Sequence, residues 1–424
     1  MDNRNKKDSP TLSLNISICR LYKKLNELAK DDPRRVIHSI KVGLALSLAS
    51  TFYFVGPLLA CMFHERAMWS VVTVVLVMEF TVGGTLTKGL NRAFATLLAS
   101  ILGVGAHHLS VQFVDRVEPL ALGFLVFLIA VSATFARFIP ELRTRYDYGV
   151  MIFILTFCIV VLSSYQGEKL LMLAYQRFST IAIGVVIALF TSILLFPFWA
   201  GEDLHRMTAY NLEKLATFME ANSTSFEGYK TVLNSKAIED SLVNNARWEP
   251  GHGRFKFAHP WKQYTKIGAL TRRCAYSMEV LHVFVTKANS QMPTELELRC
   301  RSDHSPCTEL CIASSKVLKG LASSILSMTT CSTANYEHMA VATLASEQLK
   351  TSLLDTCSLS RVVHEATVIS LLVEIVECVK QIVASVEELA VLAQFKNCEV
   401  SQRATVSPVV DVEAPHVAIA MDGQ

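Results

Sequence analysis

The 424-residue chain contains no G-x-x-x-x-G-K-[ST] loop, which excludes a pump driven by nucleotide bound in that way. Residues 1–32 are polar and basic and lack the short apolar core of a secretory signal. Eleven cysteines include no paired C-x-x-C clamp, and their odd number argues against a disulfide scaffold. Cys300, Cys307 and Cys311, with His304 between them, come closest to a metal set, but the spacing is wrong for structural zinc. Reduced cytosolic thiols are therefore expected, with no metal or other cofactor. Strand signals are scarce. An enzyme would need a nucleophile–base or metal constellation. His107-His108 has no partner acid at a telling spacing and reads as an interfacial pair at a helix end. Nucleic-acid binding has no support, because residues 201–424 hold 21 Lys/Arg against 25 Asp/Glu.

What is present is apolar length. The hydrophobic fraction of 51% is ordinary for a soluble protein, so it decides little. Its distribution decides more. Residues 36–200 hold nearly all the long apolar runs, with expected spans at 36–55, 67–86, 90–109, 119–139, 148–164 and 178–199. Each approaches the roughly 20 residues that a helix needs to cross hydrocarbon. From residue 201 to 400 the runs shorten and helical periodicity takes over, as in "EDLHRMTAYNLEKLATFMEAN" and "RVVHEATVISLLVEIVECVKQIVASVEELAVLAQF". The expected fold is an all-α membrane protein: a cytosolic segment at 1–35, six transmembrane helices in 36–200, a cytosolic helical domain at 201–400 and a loose tail at 401–424.

Residues 33–200 carry 12 Lys/Arg against 7 Asp/Glu, an excess that favours anions in any aqueous path they enclose. Arg34, Arg35, Lys88, Arg92, Arg137, Arg143, Arg145 and Arg206 would share one side, which places both termini in the cytosol.

The stretch from Trp69 to Arg92, WSVVTVVLVMEFTVGGTLTKGLNR, sets a carboxylate, Glu79, in an apolar run and follows it with Lys88 and Arg92, spaced to share a helical face. An ionisable group at bilayer depth usually faces protein or a water-filled path. Lys41, inside the first span, has two readings: it pairs with Glu79 and cancels both desolvation costs, the favoured one, or it faces permeating anions. Glu79 would repel anions if exposed to them, so its expected role is packing or gating. For Lys88 and Arg92 the choice lies between an anion route and ordinary inside-facing anchors. Arg177, in "AYQRFSTIAIGVV", reads as a snorkelling arginine or as a pore mouth whose guanidinium holds a carboxylate. Arg137, Arg143 and Arg145 would concentrate anions at the entrance or simply fix topology. In "WEPGHGRFKFAHPWKQY", residues Trp248, Glu249, Pro250, Pro260 and Trp261 are expected to dock the segment onto helices, with a regulatory surface as the alternative.

The Trp69–Arg92 run resembles the signature of the plant aluminium-activated malate transporter family, and so do "DDPRRVIHSIKVGLAL", "YDYGV", "FPFWAGEDLH", "WEPGHGRFKFAHPWKQYTKIGAL" and "VEELAVLAQFK". The likeness spans residues 31–396. It implies a homodimeric channel for malate and inorganic anions, embedded in membrane lipid, with Lys88, Arg92 and Arg177 in the pathway. It points first to the plasma membrane, with the vacuolar membrane as the alternative. The first external loop offers only Glu65 and the third only Glu168, beside Lys169, so activation by aluminium is not expected. A proton-coupled organic-acid exporter is the competing mechanism.

Overall fold

Helices form wherever the apolar runs are long. A computed structural model describes residues 20, 23–59, 68–111, 118–165, 170–220, 228–256, 259–289, 306–354 and 359–397. The chain divides into two compact units, Met1–Asp203 with Ser241–Ala258, and Leu204–Asp240 with His259–Gln424.

In the first unit α1 is Pro33–Leu59, α2 Met68–Val77, α3 Val82–Ser110, α4 Glu118–Ala136, α5 Pro140–Tyr165 and α6 Leu170–Leu194. One apolar cluster joins α1, α2 and α6 through Ala45, Ala49, Val74, Val77, Ile181, Val185 and Ala188. A second joins α3, α4 and α5 through Ala99, Ala106, Leu122, Phe157 and Val161. Small residues let the backbones close up. A Cβ on Gly184 would lie 2.7 Å from the Ser70 carbonyl oxygen, so α2 can meet α6 only across a glycine there. Phe124, Phe127 and Leu162 remain exposed, as suits a surface whose solvent is lipid.

Among the described residues five helices are long and apolar enough to cross a membrane: Val82–Ser110, Pro119–Ala136, Pro140–Ser163, Leu171–Leu194 and Pro306–Ser327. The expected second and third spans need correction. The helix entering at Met68 stops at Val77 and a new one starts at Val82, so Lys88, which the expected spans leave between them, stands with Arg92 inside α3. The physical reason is a cap. Thr81 is extended (φ −101°, ψ 152°) and its hydroxyl accepts a hydrogen bond from the Gly84 N–H. Likewise α5 begins at Pro140, which puts Arg143 and Arg145 on a helix rather than in a loop.

The second unit takes up α7 (Ala200–Glu220) and α9 (Lys236–Ala246) beyond the first unit's share of each. It adds α8 (Gly228–Leu233), α10 (Trp261–Asn289), α11 (Pro306–Ser327), α12 (Thr333–Leu354) and α13 (Leu359–Ala393). Most of α11's apolar length is covered by α12 and α13, with Leu310, Ala345, Leu349, Ile369, Leu372 and Val376 in one core. Its apolar composition is thus used for packing within the unit. Isolated bridges, one of them Thr329 to Lys396, are the β-pairing found among the described residues. Burial raises the thiol of Cys274 and lifts that of Cys378 to about 11, so both stay protonated and inert. Cys300 and His304 lie outside the described residues.

Two buried polar groups give this unit measurable properties. Glu239 is ion-paired to Arg272 and accepts from the Ser235 hydroxyl at 2.7 Å. Glu239→Ala strands the guanidinium and should cost about 3 kcal/mol, read as a lower melting temperature of the purified protein. His259, 3.2 Å from the Tyr264 hydroxyl, is pushed down by burial to about 4. Its folded value lies below its unfolded one, so its stabilising contribution is full above about pH 6.5 and drains away as pH falls toward 4. Melting temperatures between pH 7.5 and 5 should fall less steeply in His259→Gln than in the wild type.

Candidate functional site

The site is built around the break between α2 and α3. Met78 to Thr81 leave the helix, and a break in an apolar setting is tolerable only if its backbone groups find partners. The Glu79 N–H donates to the Thr85 hydroxyl at 3.0 Å. That hydroxyl faces the carbonyls of Thr81 at 3.1 Å and Glu79 at 3.3 Å. The Val82 N–H donates to the Phe198 carbonyl at 2.9 Å, and Phe80 stacks on Phe198 with ring centroids 5.1 Å apart.

Three cations stand near this break and on the helices beside it. Glu79 is ion-paired to Lys88, and each side chain is 38% exposed. Lys88 lies 5.8 Å from the centre of the Tyr148 ring. One turn further, Arg92 is 2% exposed and donates to the Thr73 hydroxyl at 3.1 Å and the Tyr148 hydroxyl at 3.4 Å. Arg177, on α6, is 8% exposed and its guanidinium sits 4.4 Å above the Trp69 ring, a cation–π arrangement. Thus Tyr148 links Lys88 to Arg92, while Trp69 and Thr73, one turn apart on α2, receive Arg177 and Arg92.

Lys41 corrects an expectation. It does not pair with Glu79; its ammonium donates to the Phe196 carbonyl at 2.7 Å and lies 4.2 Å from the Phe198 ring centre. Phe196 adopts φ +45°, a left-handed turn just past α6 that a sequence pattern does not announce. Arg143 and Arg145 are exposed on the first turns of α5, where the Arg145 carbonyl accepts from the Asn91 side chain at 3.1 Å. Arg137 is engaged by Asp147 through contacts of 2.6 and 3.1 Å, which takes it out of the expected arginine cluster. Glu65, Glu168 and Lys169 lie outside the described residues.

The conformation of the break is tied to Glu249, whose part no spacing announced. The carboxylate is 3% exposed and accepts three backbone N–H groups, from Ala200 at 2.6 Å, Gly201 at 3.0 Å and Gly83 at 3.2 Å. These belong to the first turns of α7 and α3, so one side chain caps two helix N-termini and meets both positive dipole ends. Burial pushes its pKa up, and the three N–H donors pull the other way. A Cβ on Gly83 would fall 2.5 Å from the Asn245 carbonyl oxygen and 2.7 Å from the carboxylate, so only glycine fits. Trp248 lines an apolar cavity of about 450 Å³ with Leu90, Phe94, Tyr146 and Phe153, and the Pro250 carbonyl lies 2.9 Å from His252 Nδ1. Docking by Trp248 and Glu249 is therefore contact with α3, α5 and the first turn of α7, at residues that belong to the first unit.

Residues 26–225 and 220–360 match the family model described as aluminium activated malate transporter. The chain belongs to that family. It is 48% identical over 422 residues to aluminum-activated malate transporter 1 of Triticum aestivum, covering 94% of this chain and 91% of that protein. Aluminum-activated malate transporter 2 of Arabidopsis thaliana is 42% identical over 393 residues, covering 87% and 77%. Number 7 of the same plant is 40% identical over 420 residues, covering 87% and 82%. Like the rest of the aluminium activated malate transporter family, this is a transporter and not an enzyme. In this member both cations of the Trp69–Arg92 signature, Lys88 and Arg92, stand on the helix that follows a capped break.

Removing the Glu249 carboxylate would leave three buried amides without acceptors. Glu249→Ala should destabilise the protein by about 3 kcal/mol, seen as a lower melting temperature in detergent and less protein in the membrane fraction. Glu249→Asp, one methylene shorter, reaches one helix end but not both and should fall in between.

Proposed function

We propose that the chain is an anion channel that passes malate and inorganic anions down their electrochemical gradients through the first unit. In this reading the first unit crosses the membrane six times, with the ten-residue α2 and the break after it making up the second crossing; the second unit and both termini are cytosolic, two copies form the working assembly, and the plasma membrane houses it. Lys41, Lys88, Arg92 and Arg177 line the route, and Arg143 and Arg145 gather anions at its cytosolic mouth.

One observation carries this: Arg92 and Lys41 are almost wholly buried, yet their ligands here are hydroxyls, a carbonyl and a ring. Neutral ligands satisfy N–H donors without cancelling charge, so positive potential is left in a low-dielectric setting. A malate dianion entering such a region exchanges hydration for several spread-out cations, which attract it without trapping it. The names of the relatives supply malate as the substrate. Activation by aluminium, which their names also carry, is not part of this reading, because the first and third external loops hold one carboxylate each, Glu65 and Glu168.

The helix break bearing Glu79 favours a second reading, proton-coupled export, since broken helices with carboxylates are common in coupled transporters. Voltage-clamp recordings with exchanged anions separate the two. For a channel the reversal potential follows the malate and chloride gradients and ignores pH; for an exporter it moves with the proton gradient. Lys88→Gln and Arg177→Gln should each lower malate conductance by about tenfold at normal surface expression, since each removes a charge worth about 1–2 kcal/mol to a partly dehydrated anion. Wild-type currents from both would remove them from the route.

A further inference from the structure

The ion pair between Glu79 and Lys88 is an odd partner set for a cation in an anion route. A glutamate carboxylate is the same chemical group as either end of malate. Lys88 cannot hold both closely. We propose that Glu79 is a resident competitor: its carboxylate occupies Lys88 until a permeating dicarboxylate displaces it, which sets both the apparent affinity for malate and the preference for dicarboxylates over chloride. This rests on the reading of Lys88 as part of the anion route.

Three features support a competitor rather than a permanent brace. First, both side chains are 38% exposed, so water and a dissolved anion can reach the pair, and such pairs are held weakly. Second, Glu79 is placed by its backbone and not by its carboxylate. Thr85 fixes its N–H at 3.0 Å, and its Cβ lies 3.0 Å from where a Cβ on Gly84 would stand. The break would therefore keep its shape while the carboxylate swings away. Third, Lys88 has a second neighbour to lean on, the Tyr148 ring, whose hydroxyl is the acceptor for Arg92. An anion that wins Lys88 from Glu79 lies beside the group that leads to the next cation. Displacement then costs only a weak pair, and a doubly charged anion is better equipped to win it than chloride.

The test is recording from the full-length protein expressed in a heterologous cell, with cytosolic malate and chloride varied and surface expression measured. Glu79→Gln removes the competing charge. It should lower the half-saturating cytosolic malate concentration by up to about fivefold, the range an exposed ion pair allows, and raise chloride permeability relative to malate. Glu79→Asp keeps the charge but is one methylene too short to hold Lys88, so it should behave like Glu79→Gln. If Asp matches the wild type while Gln shifts, Glu79 acts by its field and the competitor is overturned. Unchanged malate affinity and selectivity in Glu79→Gln, alongside impaired current in Lys88→Gln, overturns the competitor and leaves the route intact. Wild-type current in Lys88→Gln defeats the route and the competitor with it.

Discussion

One carboxylate decides where two helices begin. Glu249 brings the first turns of α3 and α7 to a single acceptor, and those turns otherwise present N–H groups with no partner inside their own helices. The cost of burying the charge is offset by three donors and two dipole ends. With the start of α3 fixed, Thr81 caps it, Thr85 closes the break, and the side chains of Lys88 and Arg92 are aimed by the turns that follow. Moving that start by one residue would rotate both cations about 100° around the helix.

Lys41 and Arg92 are stabilised by neutral partners. A carboxylate opposite each would cancel its charge and leave little field around it. Hydroxyls, carbonyls and aromatic faces lower the cost of burial and leave the potential standing. Close helix approach through Gly184 and its neighbours brings these neutral partners within reach. The second unit uses the opposite solution. There Glu239 and Arg272 cancel each other, and Glu220 meets Lys319.

Much of this was legible in the chain. The apolar runs located helices, because a bilayer core admits little other backbone. The Trp69–Arg92 signature named the family and flagged Glu79, Lys88 and Arg92 as charges in an apolar run. The break itself is not announced by the sequence, since Glu79 and Thr81 interrupt the apolar run only briefly and the cap depends on one threonine before Val82 and two glycines. The pairing of Lys41 with Glu79 was a reasonable expectation from their apolar settings, yet the ammonium found a carbonyl on a left-handed turn at Phe196.

Sequence alone fixed which segments are apolar, which side chains carry charge among them, and the family they belong to; these are local properties, readable residue by residue. Tertiary structure decided which charge meets which. Glu249 lies 166 positions from Gly83 and Lys41 lies 155 from Phe196, separations that no periodicity encodes. A helix presents its side chains by rotation, and only packing against its neighbours sets that rotation.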